Sequence, residues 1–201
     1  TIDGAEGGTG AAPLEFSNSI GTPLNDGLIF LHNALVGANL RDKIRIIASG
    51  KVTTGFALAC KLALGADMCN SARGMMFALG CIQALRCNTN ACPTGVATQD
   101  PKLVAGLNVL DKSIRVANFH RLTMHALKEL LQAAGLGHPG EVTAHHIVRR
   151  STDQKVKSLA QSILTQLPDG ALLHEDMENL PLIYRMFWER CEAGSFQLRP
   201  A

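Results

Sequence analysis

The most constraining feature is an alternation of apolar segments between Asn25 and Cys87. Asn25 and Asp26 can cap a helix through GLIFLHNALVGANL, where Leu28, Leu31, Leu35 and Val36 recur at helical spacing. KIRIIASG (43–50) follows as a short β-branched run closing on glycine, and reads as a buried strand. GFALACKLALG (55–65) predicts a second helix, ADMCNSARG (66–74) a second strand and MMFALGCIQALRC a buried third helix. Helices and strands alternating across short loops are the rhythm of βα units around a parallel sheet. With TID at the N-terminus, three strands are visible. A complete eight-stranded barrel needs roughly 200–250 residues of such units, so this chain, with three visible strands, cannot close a barrel by itself.

From Leu110 the pattern turns helical. DKSIRVANFHRLTMHALKELLQAAG predicts a long docking helix ending at Gly135, and weaker amphipathic candidates lie near 153–166 and 176–190. The expected division is 1–110 as a partial barrel domain and 111–201 as a helical extension.

Composition narrows the partners. Nineteen basic and seventeen acidic side chains leave a formal charge of +2, which does not favour nucleic acid or an anionic membrane. No apolar run is long enough to span a bilayer. The N-terminus has no signal-peptide pattern, and six cysteines without one fit reduced thiols or metal ligands, so a cytoplasmic setting is expected. The opening TIDGAEGG without an initiator methionine suggests a piece of a longer chain.

Candidate chemistry lies in three places. DGAEGGTGAAP (3–13) is glycine-dense, including Gly7 and Gly8, but matches the dinucleotide fingerprint poorly because Pro13 stands at the third glycine. Ser49-Gly50-Lys51 and Ala72-Arg73-Gly74 follow successive predicted strands and would together form a phosphate cradle; otherwise Lys51 and Arg73 are ordinary solvated charges. Cys81, Cys87 and Cys92 form Cys-x5-Cys-x4-Cys-Pro. This spacing suits zinc poorly and leaves an iron-sulfur cluster or inert buried thiols. Cys60 and Cys69 read as core thiols, His145-His146 as surface, and Arg149, Arg150, Lys155 and Lys157 as a solvated helix face.

EGGTGAAP, IIASGKVTTG, GAD and GCIQALRCNTNACPTGVATQDP occur in an order that resembles the FMN-binding domain of glutamate synthases, over residues 1 to about 150. The resemblance implies the C-terminal half of a TIM barrel, with the FMN phosphate on Ser49, Gly50, Lys51, Ala72 and Arg73. It implies Cys81, Cys87 and Cys92 as ligands of a 3Fe-4S cluster, and Gly7 and Gly8 at the active-site mouth. The implied activity is reductive amination of 2-oxoglutarate to glutamate through 2-iminoglutarate. The implied partners are an ammonia source or glutaminase domain, a ferredoxin or NAD(P)H-linked electron donor, and the N-terminal half of the barrel. Asn18 and Ser19 stand where the family has a Lys-His pair near the keto acid, which leaves open a module that keeps the cluster but acts on another substrate or none.

Overall fold

The computed structural model describes residues 1–4, 12–150, 155–163, 166–173, 178–195 and 197–199. Strands β1 (Ile2–Asp3), β2 (Ile47–Ser49) and β3 (Met68–Asn70) form one parallel sheet in chain order. Ile2 pairs with Ala48 and Ala48 with Cys69; Asp3 pairs with Ser49 and Ser49 with Asn70. Because side chains alternate between faces, Ile2, Ala48 and Cys69 share one face, and it packs into a core with Leu24, Leu28, Ile46, Leu64 and Ala66. The other face carries Asp3, Ser49, Asn70, Ile47 and Met68, none of them buried; Asp3, Asn70 and Met68 are exposed, Met68 by 50%. The fold is mixed α/β, and the sheet does not close into a barrel.

The helices are α1 (Leu14–Ser19), α2 (Leu24–Gly37), α3 (Gly55–Ala63), α4 (Ala72–Leu79), α5 (Pro101–Val104), α6 (Val109–Ala133) and α7 (Leu182–Phe187). Thr54 caps α3, its Oγ1 accepting from the Ala57 N–H at 3.0 Å. The long α6 lies across α3 and α4 and buries Leu127 and Leu131 against Ala59, Ala63 and Val142. As expected, it stops at Gly135, where the Leu136 N–H returns to the Leu131 carbonyl. Beyond it, Leu167, Leu172, Leu180 and Tyr184 pack on Ala34 of α2. The Tyr184 ring stacks on Phe30 with centroids 5.4 Å apart.

Several sequence expectations are corrected. Pro23, with φ fixed near the helical value, starts α2 at Leu24, ahead of the expected caps Asn25 and Asp26, and the Asn25 side chain accepts from Lys61 Nζ instead of capping. The first central strand is only Ile47–Ser49. The third helix begins at Ala72 and stops at Leu79, so CIQALRC lies outside it. The short α1 carries no buried residue, hence no periodic signal. The stretch near 153–166 is not an amphipathic helix: Val156–Ser158 (β5) pairs antiparallel with Val148–Arg150 (β4), and Ala160–Ser162 is a 3-10 turn. Arg149 and Lys157 therefore face each other across a ladder and do not share a helix face. Near 176–190, α7 and a following 3-10 turn at Trp188–Arg190 occupy only the last part. No helix among the described residues is long and apolar enough to cross a membrane.

Candidate functional site

The loops at the C-terminal ends of β2 and β3 meet. The Gly4 N–H donates to the Ser49 carbonyl at 3.0 Å, and Ser71 Oγ donates to the Val52 carbonyl at 2.6 Å. The second bond ties the two loops expected to cradle a phosphate. Ala72 and Arg73 are the first residues of α4, where backbone N–H groups lack intrahelical acceptors. Lys51 is exposed, holds φ +47°, and precedes α3 by four residues, so it borders the cradle from a loop and not from a helix start. Gly7 and Gly8 lie outside the described residues.

At its other end α4 delivers the cysteines. Gly80 takes φ +109°, and the Cys81 N–H returns to the Met76 carbonyl at 2.9 Å. The chain then runs through Gln83 (φ +56°) and Leu85 (φ +57°), conformations that L-residues rarely hold. Asn90, also at positive φ, pins the turn: its side-chain oxygen accepts from the Gln99 N–H at 2.7 Å, and its carbonyl accepts from Thr98 Oγ1 at 2.6 Å. In this conformation Cys81, Cys87 and Cys92 line one cavity with Met76, Thr94 and Ala97. The cavity is about 10 Å³, the room of a single water.

Donors converge on the sulfur atoms. The Gln83 N–H donates to Cys81 Sγ at 3.4 Å, and Cys92 Sγ lies 3.4 Å from Thr94 Oγ1. Burial pushes the Cys92 thiol up, but hydrogen bonds from Thr94 Oγ1 and from the N–H groups of Ala97, Thr94 and Val96 outweigh it and bring its pKa to about 7. Cys92 is poised to be a thiolate, the form that binds metal. By contrast, burial raises Cys60, and raises Cys69 to about 11, which keeps both protonated as core thiols. No group of three His, Cys, Asp or Glu among the described residues is close enough to hold one metal ion. A cluster asks for something else, one thiolate on each of several irons, and this donor chemistry suits it.

The two ends of α4 share a second cavity. Arg73 and Met76 line it together with Asn18 of α1 and Cys81, Gln83, Cys87 and Asn88 of the cysteine loop. Asn18 and Arg73 are thereby brought together, a pairing that their separation in sequence conceals. Thr94 and the positive-φ pair Gln83 and Leu85 are further site residues that sequence reasoning missed; only the adjacent CPTG motif marks Thr94.

A larger cavity lies at the N-terminal ends of the strands, lined by His32, Arg41, Asp67 and His138. Its charged groups serve the fold. Arg41 donates to His32 Nδ1 at 3.0 Å and to the Gly65 carbonyl and Asp67 Oδ2 at 2.9 Å, while Asp67 Oδ2 accepts from the Ile46 N–H at 2.7 Å.

Residues 1–137 match the family model described as the conserved region in glutamate synthase. Glutamate synthase large subunit-like protein YerD of Bacillus subtilis (strain 168) is 46% identical over 156 residues, 78% of this chain and 30% of that protein. Archaeal glutamate synthase [NADPH] of Methanocaldococcus jannaschii is 42% identical over 135 residues, 67% of this chain and 26% of that protein. Ferredoxin-dependent glutamate synthase of Pyropia yezoensis is 33% identical over 153 residues, 76% of this chain and 10% of that protein. The chain thus spans less than a third of the length of these relatives. With its cysteine loop and parallel βα units inside the matched region, the chain belongs to the glutamate synthase family.

Proposed function

We propose that the chain is the cofactor-holding part of an FMN- and 3Fe-4S-dependent oxidoreductase that makes glutamate from 2-oxoglutarate. The observation that carries this reading is the convergence of Cys81, Cys87 and Cys92 on one cavity, at the far end of a helix whose near end opens the phosphate cradle. Bound there, FMN would supply hydride chemistry to an imine and the cluster one-electron transfer. Ser49, Gly50 and Lys51, with the backbone N–H groups of Ala72 and Arg73, hold the phosphate. Cys81, Cys87 and Cys92 serve as thiolate ligands, and Thr94 Oγ1 with the N–H groups around Cys92 favours its ionised form. Because the thiols enclose only about 10 Å³, loading requires the segment around Gln83 and Leu85 to move outward. Gly7 and Gly8 border the active-site mouth.

Residues 1–110 belong on this reading to the C-terminal part of a (β/α)8 barrel, and 111–201 to a C-terminal extension. The incompletely covered second face of the sheet supports it: parallel strands with helices on one side leave the other side for the rest of a barrel. The N-terminal half of that barrel, an ammonia source or glutaminase domain, and a ferredoxin or NAD(P)H-linked electron donor complete the machinery, in a cytoplasmic setting.

The full-length protein, purified anaerobically, is expected to show flavin peaks on a broad iron-sulfur shoulder, with iron and sulfide in the ratio of a three-iron cluster. Cys87→Ser should bleach the shoulder and leave flavin bound. An unchanged shoulder removes Cys87 from the ligand set, a shoulder without flavin favours an electron-transfer or assembly module, and a colourless protein refutes both readings.

A further inference from the structure

One charged side chain lies on the inward stripe of α6. Lys112, Val116, Phe119 and Thr123 are shielded at every third or fourth position and lead to the buried Leu127 and Leu131, the stripe that packs on α3 and α4. A lysine on such a stripe ordinarily bends its ammonium out to water. Here the side chain is only 18% exposed, and Nζ ends 3.4 Å from where a Cβ on Gly80 would stand. Gly80 precedes Cys81, so the ammonium lies within about 9 Å of the Cys81 Cα. Among the described residues its one ion-pair partner is Asp111, at 3.6 Å, whose own side chain is 58% exposed.

Helix packing does not account for a cation at this place. Lys112 stands one turn inside the N-terminal end of α6, where the macrodipole opposes positive charge. Shielding an ammonium costs energy unless negative charge offsets it. The C-terminal end of α4 is partly negative, but its Phe77 and Met76 carbonyls already accept from the Gly80 and Cys81 N–H groups. Among the described residues no Asp or Glu lines the cysteine cavity. Arg86 lines it but is exposed, so salt screens its charge.

We infer that Lys112 is the shielded counter-charge of the thiolate-bound cluster and holds its reduction potential up. The inference rests on the cluster proposed above. An electron accepted from the ferredoxin or NAD(P)H-linked donor adds one negative charge, and a fixed cation nearby favours that more negative state. Lys112 acts through its field, so it is a positioning residue for charge and takes no part in bond making.

A potentiometric titration of the full-length protein, followed by electron paramagnetic resonance of the oxidised cluster, tests it. Lys112→Met keeps the stem and removes the charge. It should shift the reduction equilibrium about tenfold toward the oxidised form, about 59 mV for one electron, at unchanged iron content. Lys112→Arg should restore most of the wild-type potential. Asp111→Asn, an exposed change, should shift the potential the other way and by less, and it decides the matter if Lys112→Met fails to fold. Arg115→Met removes an equal but exposed charge from the same helix and should change the equilibrium by less than about twofold. If Lys112 only steadies the end of α4, Lys112→Met lowers the melting temperature and leaves the potential where it was. That result, equal shifts in Lys112→Met and Arg115→Met, or no shift in Asp111→Asn overturns the inference and leaves the proposed function standing. Full-length protein without iron and sulfide defeats the proposed function and this inference with it.

Discussion

Two glycines flank the cysteine loop, and replacing each with alanine separates backbone strain from steric collision. Gly80 holds φ +109° and Gly95 φ +76°, both in the left-handed region, where an L-residue pays about 1–2 kcal/mol. At Gly80 an added Cβ meets only Lys112 Nζ, 3.4 Å away at the end of a flexible side chain. At Gly95 it collides with the Leu103 carbonyl oxygen, with the carbonyl carbon at 2.9 Å and Val104 Cα at 3.3 Å. That backbone belongs to α5, whose start is fixed by Asp100 accepting from the Lys102 N–H, so it yields only by unseating the helix. Such overpacking adds about 1–3 kcal/mol. Gly80→Ala should therefore cost about 1–2 kcal/mol and Gly95→Ala about 2–5. At roughly 2–4 °C per kcal/mol for a domain of this size, Gly95→Ala should melt several degrees below Gly80→Ala by circular dichroism. It should also retain less iron, because the displaced turn carries Cys92. Equal melting temperatures, or a Gly95→Ala protein that melts higher, would refute the collision argument.

Acid should weaken the fold in two separate steps. Burial and the Arg41 guanidinium hold the His32 imidazole below its ordinary 6.5, so the stability tied to neutral His32 is present above pH 6.5 and is lost as pH falls toward the depressed value. His32→Gln, which keeps an acceptor for Arg41, should flatten the fall of urea midpoints as pH drops below 6.5; a slope as steep as in the wild type counts against this assignment. Burial favours a higher pKa for Asp67, yet the Ile46 N–H and the Arg41 and Arg45 guanidinium groups hold it below 3.8, so its contribution is lost only in stronger acid. Tyr184 is 1% exposed, stacks on Phe30 and donates to the Phe30 carbonyl at 3.3 Å. Tyr184→Ala should cost about 3–5 kcal/mol in denaturant unfolding and Tyr184→Phe about 1; similar losses would mean that the hydroxyl, and not the ring, carries the contact.

The βα rhythm was legible because α2, α3 and the central strand β2 each bury apolar residues at the period of their element, and burial is what writes such a pattern. The thiol trio was legible as a cluster of residues, but not the strained path through Gln83 and Leu85 that folds it around one point, since nothing in those side chains announces a positive φ. The antiparallel pair at 148–150 and 156–158 escaped because Arg149, Arg150, Lys155 and Lys157 mimic a solvated helix face, and alternation over three residues is too short to oppose that reading. Arg73 was placed by the motif around its backbone. That Arg73 shares a cavity with Asn18 was hidden because α1 is a helix without a buried face and so without a signature.

Helix α4 also acts as a ruler. Eight residues at 1.5 Å each set about 12 Å between its first backbone N–H groups and the turn that presents Cys81. With the groups proposed at its two ends, the separation between the phosphate cradle and the turn that presents Cys81 is counted in residues of one rod. Lengthening that rod by a helical turn would add about 5.4 Å to that separation.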